Sequence, residues 1–361
     1  MRVSIREHVI VADHENHVWK LVRDFFQPND PRTLNDQIQT IVIETENETE
    51  DQLLNILLYE KPSSVLNLSK ITGMSVNDVE DFLGNLEKFD LIEKKSDATV
   101  LTDSELIRYS RQLRFFSLYD APTIIQEKMK KAKVVVVGLG GIGGWLLFNL
   151  AAMGIGNLVG YDHDKIELSN LNRQLLFSEK DIGKCKSDIA EQRIAEFNSN
   201  IKITTKNLLV TEKNIETIIP EDATVFVSTA FPIEYYANAF CVKHDIPIIA
   251  QGGGKYSPTG VSVMRPHLTG CFNCLPDPIP AWRHLTDLVR ARHGEDYVLT
   301  TTFSPFVSIC ANIMAVEIFK LVTGLEKPIN NIVIDPIGWK VEENKNQLVK
   351  NPLCKICGGR G

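Results

Sequence analysis

The 361-residue sequence lacks the parts that would make several function classes easy to assign. Its N-terminus, MRVSIREHVIVADHENH, has charges scattered among its apolar residues and neither an apolar core nor a small-residue cleavage site, so no secretory signal is read there. Net positive charge is missing: 39 Lys and Arg stand against 46 Asp and Glu, a net of −7, which argues against nucleic acid as a partner. No G-x-x-x-x-G-K-[ST] occurs, which excludes a P-loop nucleotide site. Long apolar runs are scarce. Residues 134–156 carry no charge, but seven glycines and Asn149 divide them into strand, turn and helix, so no membrane span is expected. Cysteine is sparse, seven in all and odd in number. Without a secretory signal this favours reduced or metal-bound thiols in a cytoplasmic protein over a disulfide framework. Tandem repeats are absent, and 43% hydrophobic with 24% charged content suits a soluble chain with a sizeable core.

Charge divides what is present. Residues 1–100 hold 10 Lys and Arg against 19 Asp and Glu, whereas the remaining 261 hold 29 against 27. In the acidic part, VSIREHVIVAD and HVWKLV read as two strands about a HEN turn. The acidic ETENETED follows, as a loop or helix start. In SSVLNLSKITGMSVNDVEDFLGNLEKFDLIEKK the pattern predicts a short helix, a turn at Gly73, a cap at Ser75, a second helix and an extended edge. Residues 1–100 are therefore read as a winged-helix-like α+β domain. A winged helix commonly binds DNA, but an acidic second helix would be repelled by phosphates, so a peptide- or protein-binding module is expected instead. Residues 101–131 read as a linker with an amphipathic helix over 103–131. From 132 to 361 strands and helices alternate, which predicts an α/β, doubly wound, Rossmann-like parallel sheet ending in a buried helix (TTTFSPFVSICANIMAVEIFKLVTG) and late strands.

The chemistry begins at VVVVGLGGIGGW, residues 134–145, where Gly138, Gly140 and Gly143 form G-x-G-x-x-G behind a buried strand. Such a turn lets backbone approach phosphate at a helix N-terminus. Asp162 lies 19 residues after Gly143, where a ribose-binding acid belongs. To this point NAD and ATP fit equally well. The stretch after it, with Asn170, Arg173, Gln174, Lys184 and Lys186, brings cations that a nicotinamide enzyme does not need. A cation on the α-phosphate stabilises the charge that develops as pyrophosphate leaves, so ATP is the preferred ligand. Separately, Cys271 and Cys274 in CFNC and Cys354 and Cys357 in CKIC make two C-x-x-C pairs 79 residues apart, the pattern of a structural zinc site.

Taken together, GLGGIG, YDHDKIELSNLNRQLLF, GKCK and the paired C-x-x-C motifs resemble the E1-like, ThiF/MoeB-type adenylating enzymes from about residue 104 onward, about 70% of the chain. The resemblance implies adenylation of a carboxylate by Mg-ATP in a homodimer with structural Zn2+. It implies that Gly138, Gly140, Gly141 and Gly143 hold the nucleotide with Asn170 and Gln174. Asp162 holds the ribose, and Arg173 and Lys186 act on the phosphates with Asn170. Arg111, in RYSRQL, reaches into the partner subunit. The acidic clamp ahead of this domain resembles the enzymes that mature ribosomally made antibiotic peptides, of the pantocin A and microcin C7 types. This implies a precursor peptide whose leader is bound by residues 1–100 as an added strand.

Two features set the chain apart from the family pattern. Ala230 stands where the Mg-binding aspartate is expected, leaving Asp164 or Glu234 as replacements, or a nucleotide-binding protein without turnover that presents a peptide or partner. No thioester cysteine is assigned, since Cys241 and Cys310 read as core. The run WRHLTDLVRARHGED carries Arg283, His284, Arg290, Arg292 and His293, which suits a carboxylate-rich substrate and favours activation of a Glu side chain, followed by cyclisation, over adenylation of the peptide C-terminus.

Overall fold

The computed structural model describes residues 2–6, 9–23, 40–60, 63–89, 91–95, 100–117, 119, 122–252, 260–294, 302–343 and 348–358. The expected helical start at residues 300–301 and the end of the cationic run at 295–296 lie outside them. The chain divides into two units, Met1–Glu127 and Lys128–Gly361.

In the first unit, β1 (Arg2–Ile5) runs antiparallel between β5 (Ser63–Ser64) and β6 (Ile92–Lys95). A second antiparallel sheet has the order β2 (Val9–Glu15), β3 (Val18–Arg23), β4 (Thr40–Glu44). The hairpin turns at Asn16 and His17, both with positive φ (49° and 65°), as a two-residue hairpin turn requires. The expected single strand VSIREHVIVAD is thus two strands in two sheets. Arg6 separates them: its N–H donates to the Leu91 carbonyl and its own carbonyl accepts from Val9, so the chain turns there.

Next in this unit come α1 (Glu48–Tyr59), α2 (Val65–Thr72) and α3 (Val76–Lys88). Each starts where a side-chain oxygen accepts from free N–H groups: Asn47, Ser64 and Ser75. Gly73 ends α2 at φ +76°, a left-handed cap that suits glycine. Val79, Leu83 and Leu86 place one face of α3 in a core shared with Leu53, Leu54, Leu57, Leu68 and Trp19. The predicted helix over 103–131 is three pieces, α4 (Asp103–Arg108), α5 (Ser110–Phe116) and α6 (Pro122–Lys131). Thr102 and Glu105 form a capping box on α4, and Pro122 opens α6, where its missing N–H costs nothing.

The second unit is built on five parallel strands: β7 (Lys133–Val137), β8 (Asn157–Asp162), β9 (Lys202–Asn207), β10 (Val225–Ser228) and β11 (Ile248–Gly252). Three antiparallel strands extend the sheet: β12 (Gly260–Met264), β13 (Asn331–Asp335) and β14 (Lys340–Glu343). The order is β14-β13-β12-β11-β10-β7-β8-β9, so β7 lies between β10 and β8. The helices are α7 (Gly141–Met153), α8 (Lys186–Phe197), α9 (Ile215–Ile218), α10 (Ile233–Lys243), α11 (Ile279–His293) and α12 (Ser304–Thr323).

Strand alternation sends Val135 and Val137 into the core that holds α10, and Val134 and Val136 to the other face. There α12 packs on α7, β10, β11 and β12. The sheet is covered on both faces, which explains why β7 is a nearly unbroken valine run. It is the doubly wound, Rossmann-like α/β fold expected from the alternating pattern. α12 is long and apolar enough to cross a membrane, but half of its apolar window is buried inside the unit.

Candidate active site

The site forms where β10, β7 and β8 end side by side. After Val137 the chain turns at Gly138 with φ +90°. A Cβ there would stand 2.5 Å from Thr229 Oγ1, which donates to the Gly138 carbonyl at 2.8 Å. A Cβ on Gly143 would stand 1.9 Å from the Gly138 carbonyl oxygen, so only glycine lets α7 begin this close to β7. Gly141 faces Val307 of α12, 3.4 Å from a built Cβ, so it lies on the packing side of the turn. Gly140 caps α7, and no side chain caps that end, which leaves an N-terminus suited to anions.

Asp162 binds the turn from the end of β8. Its Oδ2 accepts from Leu139 N at 2.7 Å and its Oδ1 from Asp164 N at 2.8 Å. Burial raises its pKa above the usual aspartate range, against the pull of Lys186. Lys186, the first residue of α8, is buried, and its Nζ lies 2.8 Å from Asp164 Oδ2. Gln174 is also buried; its Nε2 lies 3.3 Å from the place a Cβ on Gly140 would take. Its Oε1 has no hydrogen-bond partner, an acceptor held ready beside the turn. Asn170 ends the short 3-10 turn Leu168–Asn170, where its Oδ1 accepts from Glu167 N at 3.1 Å. Arg173 folds back on that turn, donating to Ser169 O and Asn172 Oδ1, both at 2.9 Å.

The structure therefore gathers Gly138, Gly140, Asp162, Gln174 and Lys186 at the end of β7 and β8, with Asn170 and Arg173 on the adjoining turn. Arg111 lies exposed on α5 in the first unit. A helix N-terminus, a buried lysine, an aspartate and an unpartnered amide oxygen together supply donors for phosphates and acceptors for hydroxyls.

The β10 end differs. Ala230 is exposed there, and Ser228 Oγ donates to Glu234 Oε2 at 2.9 Å. Burial pushes Glu234 up to about 7. Phe231 meets Trp282 of α11 and Tyr235 of α10 edge-on, with ring centroids 5.2 and 5.8 Å apart. Motif reading missed Thr229 and this aromatic wall; only the adjacency of β10 to β7 makes them part of the site. The carboxylates that can share a cation are at the β8 end, where Asp162, His163 and Asp164 bring ligand atoms within 4.8 Å of one another.

The four cysteines of the paired C-x-x-C motifs converge. Sγ separations are 4.0 Å for Cys271–Cys274, 3.6 Å for Cys271–Cys354 and 3.3 Å for Cys274–Cys357. A tetrahedral zinc with bonds of about 2.3 Å needs sulfur edges of about 3.8 Å, so the four thiols fit a tetrathiolate metal site. Burial opposes ionisation of Cys354, but the N–H groups of Cys357 and Ile356 and neighbouring thiols bring it down to about 7. Asn238 of α10 anchors the knuckle through its Oδ1, which accepts from Phe272 N at 3.0 Å. Cys241 and Cys310 are fully buried; burial raises both thiols, Cys310 to about 12, so neither is a ready nucleophile.

A covered parallel sheet, a glycine turn between an aspartate and an uncapped helix, and a four-cysteine knuckle define a nucleotide site of the E1-like adenylating class. Residues 109–356 match the ThiF family model, and the chain belongs to that family of ATP-dependent adenylating enzymes. It is 28% identical over 263 residues to the molybdopterin-synthase adenylyltransferase of Escherichia coli K12, covering 72% of this chain and 98% of that one. It is 28% identical over 260 residues to the sulfur carrier protein ThiS adenylyltransferase of the same strain, covering 72% and 98%. Among solved structures, the microcin C7 biosynthetic enzyme MccB of E. coli, in complex with N-formylated MccA, superposes with a TM-score of 0.66 at 23% identity. That likeness of fold covers 99% of this chain and 100% of MccB, which has also been solved with ATP.

Proposed function

We propose that this protein activates a carboxylate of a ribosomally made precursor peptide by adenylation, in the biosynthesis of a peptide antibiotic. Residues 1–100, within the first unit, hold the peptide's leader. The observation that carries this reading is the first unit itself. The molybdopterin-synthase relative is spent at 98% of its length on the shared part, whereas the likeness to MccB runs through 99% of this chain. A sulfur-carrier activator has no use for an added acidic module, in which β4 pairs with β3 on one side and with no described strand on the other.

In the reaction, a peptide carboxylate oxygen bonds to the α-phosphorus of ATP, the bond to the bridging oxygen breaks, and pyrophosphate leaves. Amides at the α7 N-terminus and Lys186 meet the phosphates. Arg173 joins them by leaving Ser169. Asp162 and the Gln174 Oε1 accept from the ribose side. Arg111 is contributed across a homodimer. Mg2+ carried with the triphosphate would be held by Asp164 with Asp162 beside it, because Glu234 is buried, keeps its proton on about half of the molecules near pH 7 and is tied to Ser228. Zn2+ is held by Cys271, Cys274, Cys354 and Cys357 and is structural. Elemental analysis of protein purified without chelator is expected to give about one zinc per chain; none, with four free thiols, contradicts the assignment.

The helix α11, with no buried residue, presents Arg283, His284, Arg290, Arg292 and His293. This favours a carboxylate-rich substrate and activation of a Glu side chain, with cyclisation and loss of water, as in pantocin A maturation. The alternative, of the microcin C7 type, leaves AMP on the peptide C-terminus. Ala230 favours a second reading of another class, a nucleotide-binding protein that presents a peptide without turnover. Mass spectrometry of the short peptide encoded beside the gene, incubated with the protein and Mg-ATP in a cytosol-like buffer, separates these. Loss of water with AMP release supports the first, a gain of one AMP the second, and an unchanged peptide with bound, intact ATP the third.

A further inference from the structure

The shape of the glycine turn depends on one peptide plane, the unit that joins Gly138 to Leu139. Gly138 stands at φ +90°, and with no Cβ it leaves that plane free to rotate unless something else holds it. Two side chains grip the plane, one from each strand beside β7. Its N–H, on Leu139, donates to Asp162 Oδ2 at 2.7 Å from the end of β8. Its carbonyl, on Gly138, accepts from Thr229 Oγ1 at 2.8 Å, just past the end of β10. A trans peptide points its N–H and C=O to opposite sides, so the two grips oppose one another. Rotating the plane by half a turn would break both bonds and set the carbonyl oxygen against the Asp162 carboxylate.

The Thr229 grip is the one that nothing else duplicates. A second acceptor lies within reach of its hydroxyl, the Val137 carbonyl at 3.1 Å, but that carbonyl already accepts from Thr229 N at 3.0 Å. No other described group donates to the Gly138 carbonyl. On the α7 side this carbonyl faces Gly143, where a Cβ would come within 1.9 Å of its oxygen. A hydroxyl has one proton to give, and the shorter bond, to Gly138, is the one whose loss leaves an acceptor without a partner. Thr229 itself is fixed, because β10 pairs with β7 up to Ser228 and Val137.

We propose that Thr229 is a positioning residue for the nucleotide site: with Asp162 it fixes the Gly138–Leu139 plane and so aims the amides that follow it at the phosphates. Each peptide plane takes its direction from the one before through φ and ψ alone, so a fixed plane at Leu139 sets where the N–H groups at the uncapped start of α7 point. Thr229 acts through the turn and does not touch the nucleotide. A serine can fill this role, since it keeps the hydroxyl. An alanine cannot, and a valine would put a methyl group where the hydroxyl now donates. The inference rests on the proposed placing of ATP at the α7 N-terminus and is independent of which peptide is adenylated.

The test compares the full-length protein with Thr229→Ala and Thr229→Ser by two readouts, after circular dichroism has shown each variant folded. In calorimetric titration with Mg-ATP, alanine is expected to weaken binding about tenfold, the scale of leaving one partly buried carbonyl unpartnered, and serine to restore it to within about threefold. Hydrogen–deuterium exchange without nucleotide, followed by mass spectrometry, is expected to quicken in the alanine variant across residues 136–146 and not around Cys271, with serine matching the parent protein. Exchange and affinity unchanged by alanine, exchange quickened throughout the second unit, or serine behaving as alanine does, overturns the inference. A parent protein that binds no ATP would instead sink the nucleotide site of the proposed function, and the exchange pattern would still decide whether Thr229 holds the turn.

Discussion

The two strands that flank the glycine turn end in opposite chemistry. At the β8 end, Asp162, Asp164 and Lys186 form a charged group in which the lysine is buried and Asp164 is half exposed. At the β10 end, Ala230 and Phe231 are followed by a buried Glu234 that accepts from Ser228 and pairs with no cation among the described residues. Both ends touch the same turn, since Thr229 bonds the Gly138 carbonyl and Asp162 bonds Leu139 N. Charge handling is thus concentrated on the β8 side. On the other side Phe231 packs edge-on against Trp282 and Tyr235, and the described carboxylate, Glu234, is tied to Ser228.

Three changes sharpen or break this contrast. The largest effect is expected at the charged end. Lys186→Ala should lower peptide-dependent pyrophosphate release by about 10²–10³-fold, the scale of losing one preorganised charge stabiliser, with the fold retained. Undiminished turnover would remove Lys186 from the phosphate site.

Glu234→Gln probes the β10 end through stability. In the unfolded chain this carboxyl ionises near its ordinary 4.5, and in the folded chain near 7. Between those values the unfolded state releases a proton that the folded state keeps, so stability falls as pH rises through this window and is level on either side. The glutamine variant loses that slope. Its advantage should reach about 3 kcal/mol above pH 7, read from denaturant midpoints across pH 4–8. Parallel pH profiles for the two proteins would mean that Glu234 is ionised in the fold. The smallest effect is expected for Ala230→Asp. If the β8 carboxylates suffice, turnover should change less than about tenfold. A protein that turns over only after this substitution would be the non-catalytic nucleotide binder.

Much of this contrast could be read before the fold was known, but unevenly. The β8 end was legible because its residues are close in sequence: Asp162, Asn170, Arg173, Gln174 and Lys186 follow one another within two turns and a helix start. Glycine spacing and the valine run likewise marked β7 and α7, since burial on both faces leaves a continuous apolar strand. The β10 end was not legible. Thr229 becomes part of the site only because β10 pairs with β7, and Trp282 only because α11 brings it to Phe231. Pairings at long sequence separation leave no local signal. The antiparallel extension β12–β14 was only partly visible for the same reason. The break at Arg6 and the division of 103–131 into three helices were not legible, because the hydrogen bond of Arg6 N to Leu91 O, the C-cap of α4 at Tyr109 and the start of α6 at Pro122 override an amphipathic pattern. The four-cysteine cluster was the clearest long-range signal, since C-x-x-C pairs announce a shared centre whatever lies between them.

The charged β8 end and the first unit are proposed to serve one reaction. The most direct test is to quantify AMP and pyrophosphate formed from Mg-ATP by the full chain, with and without the peptide encoded beside the gene. Both products are expected, in equal amounts, only when peptide and ATP are present together. ATP that is bound but stays intact in the presence of the peptide, or AMP formed equally without it, would rule out peptide adenylation.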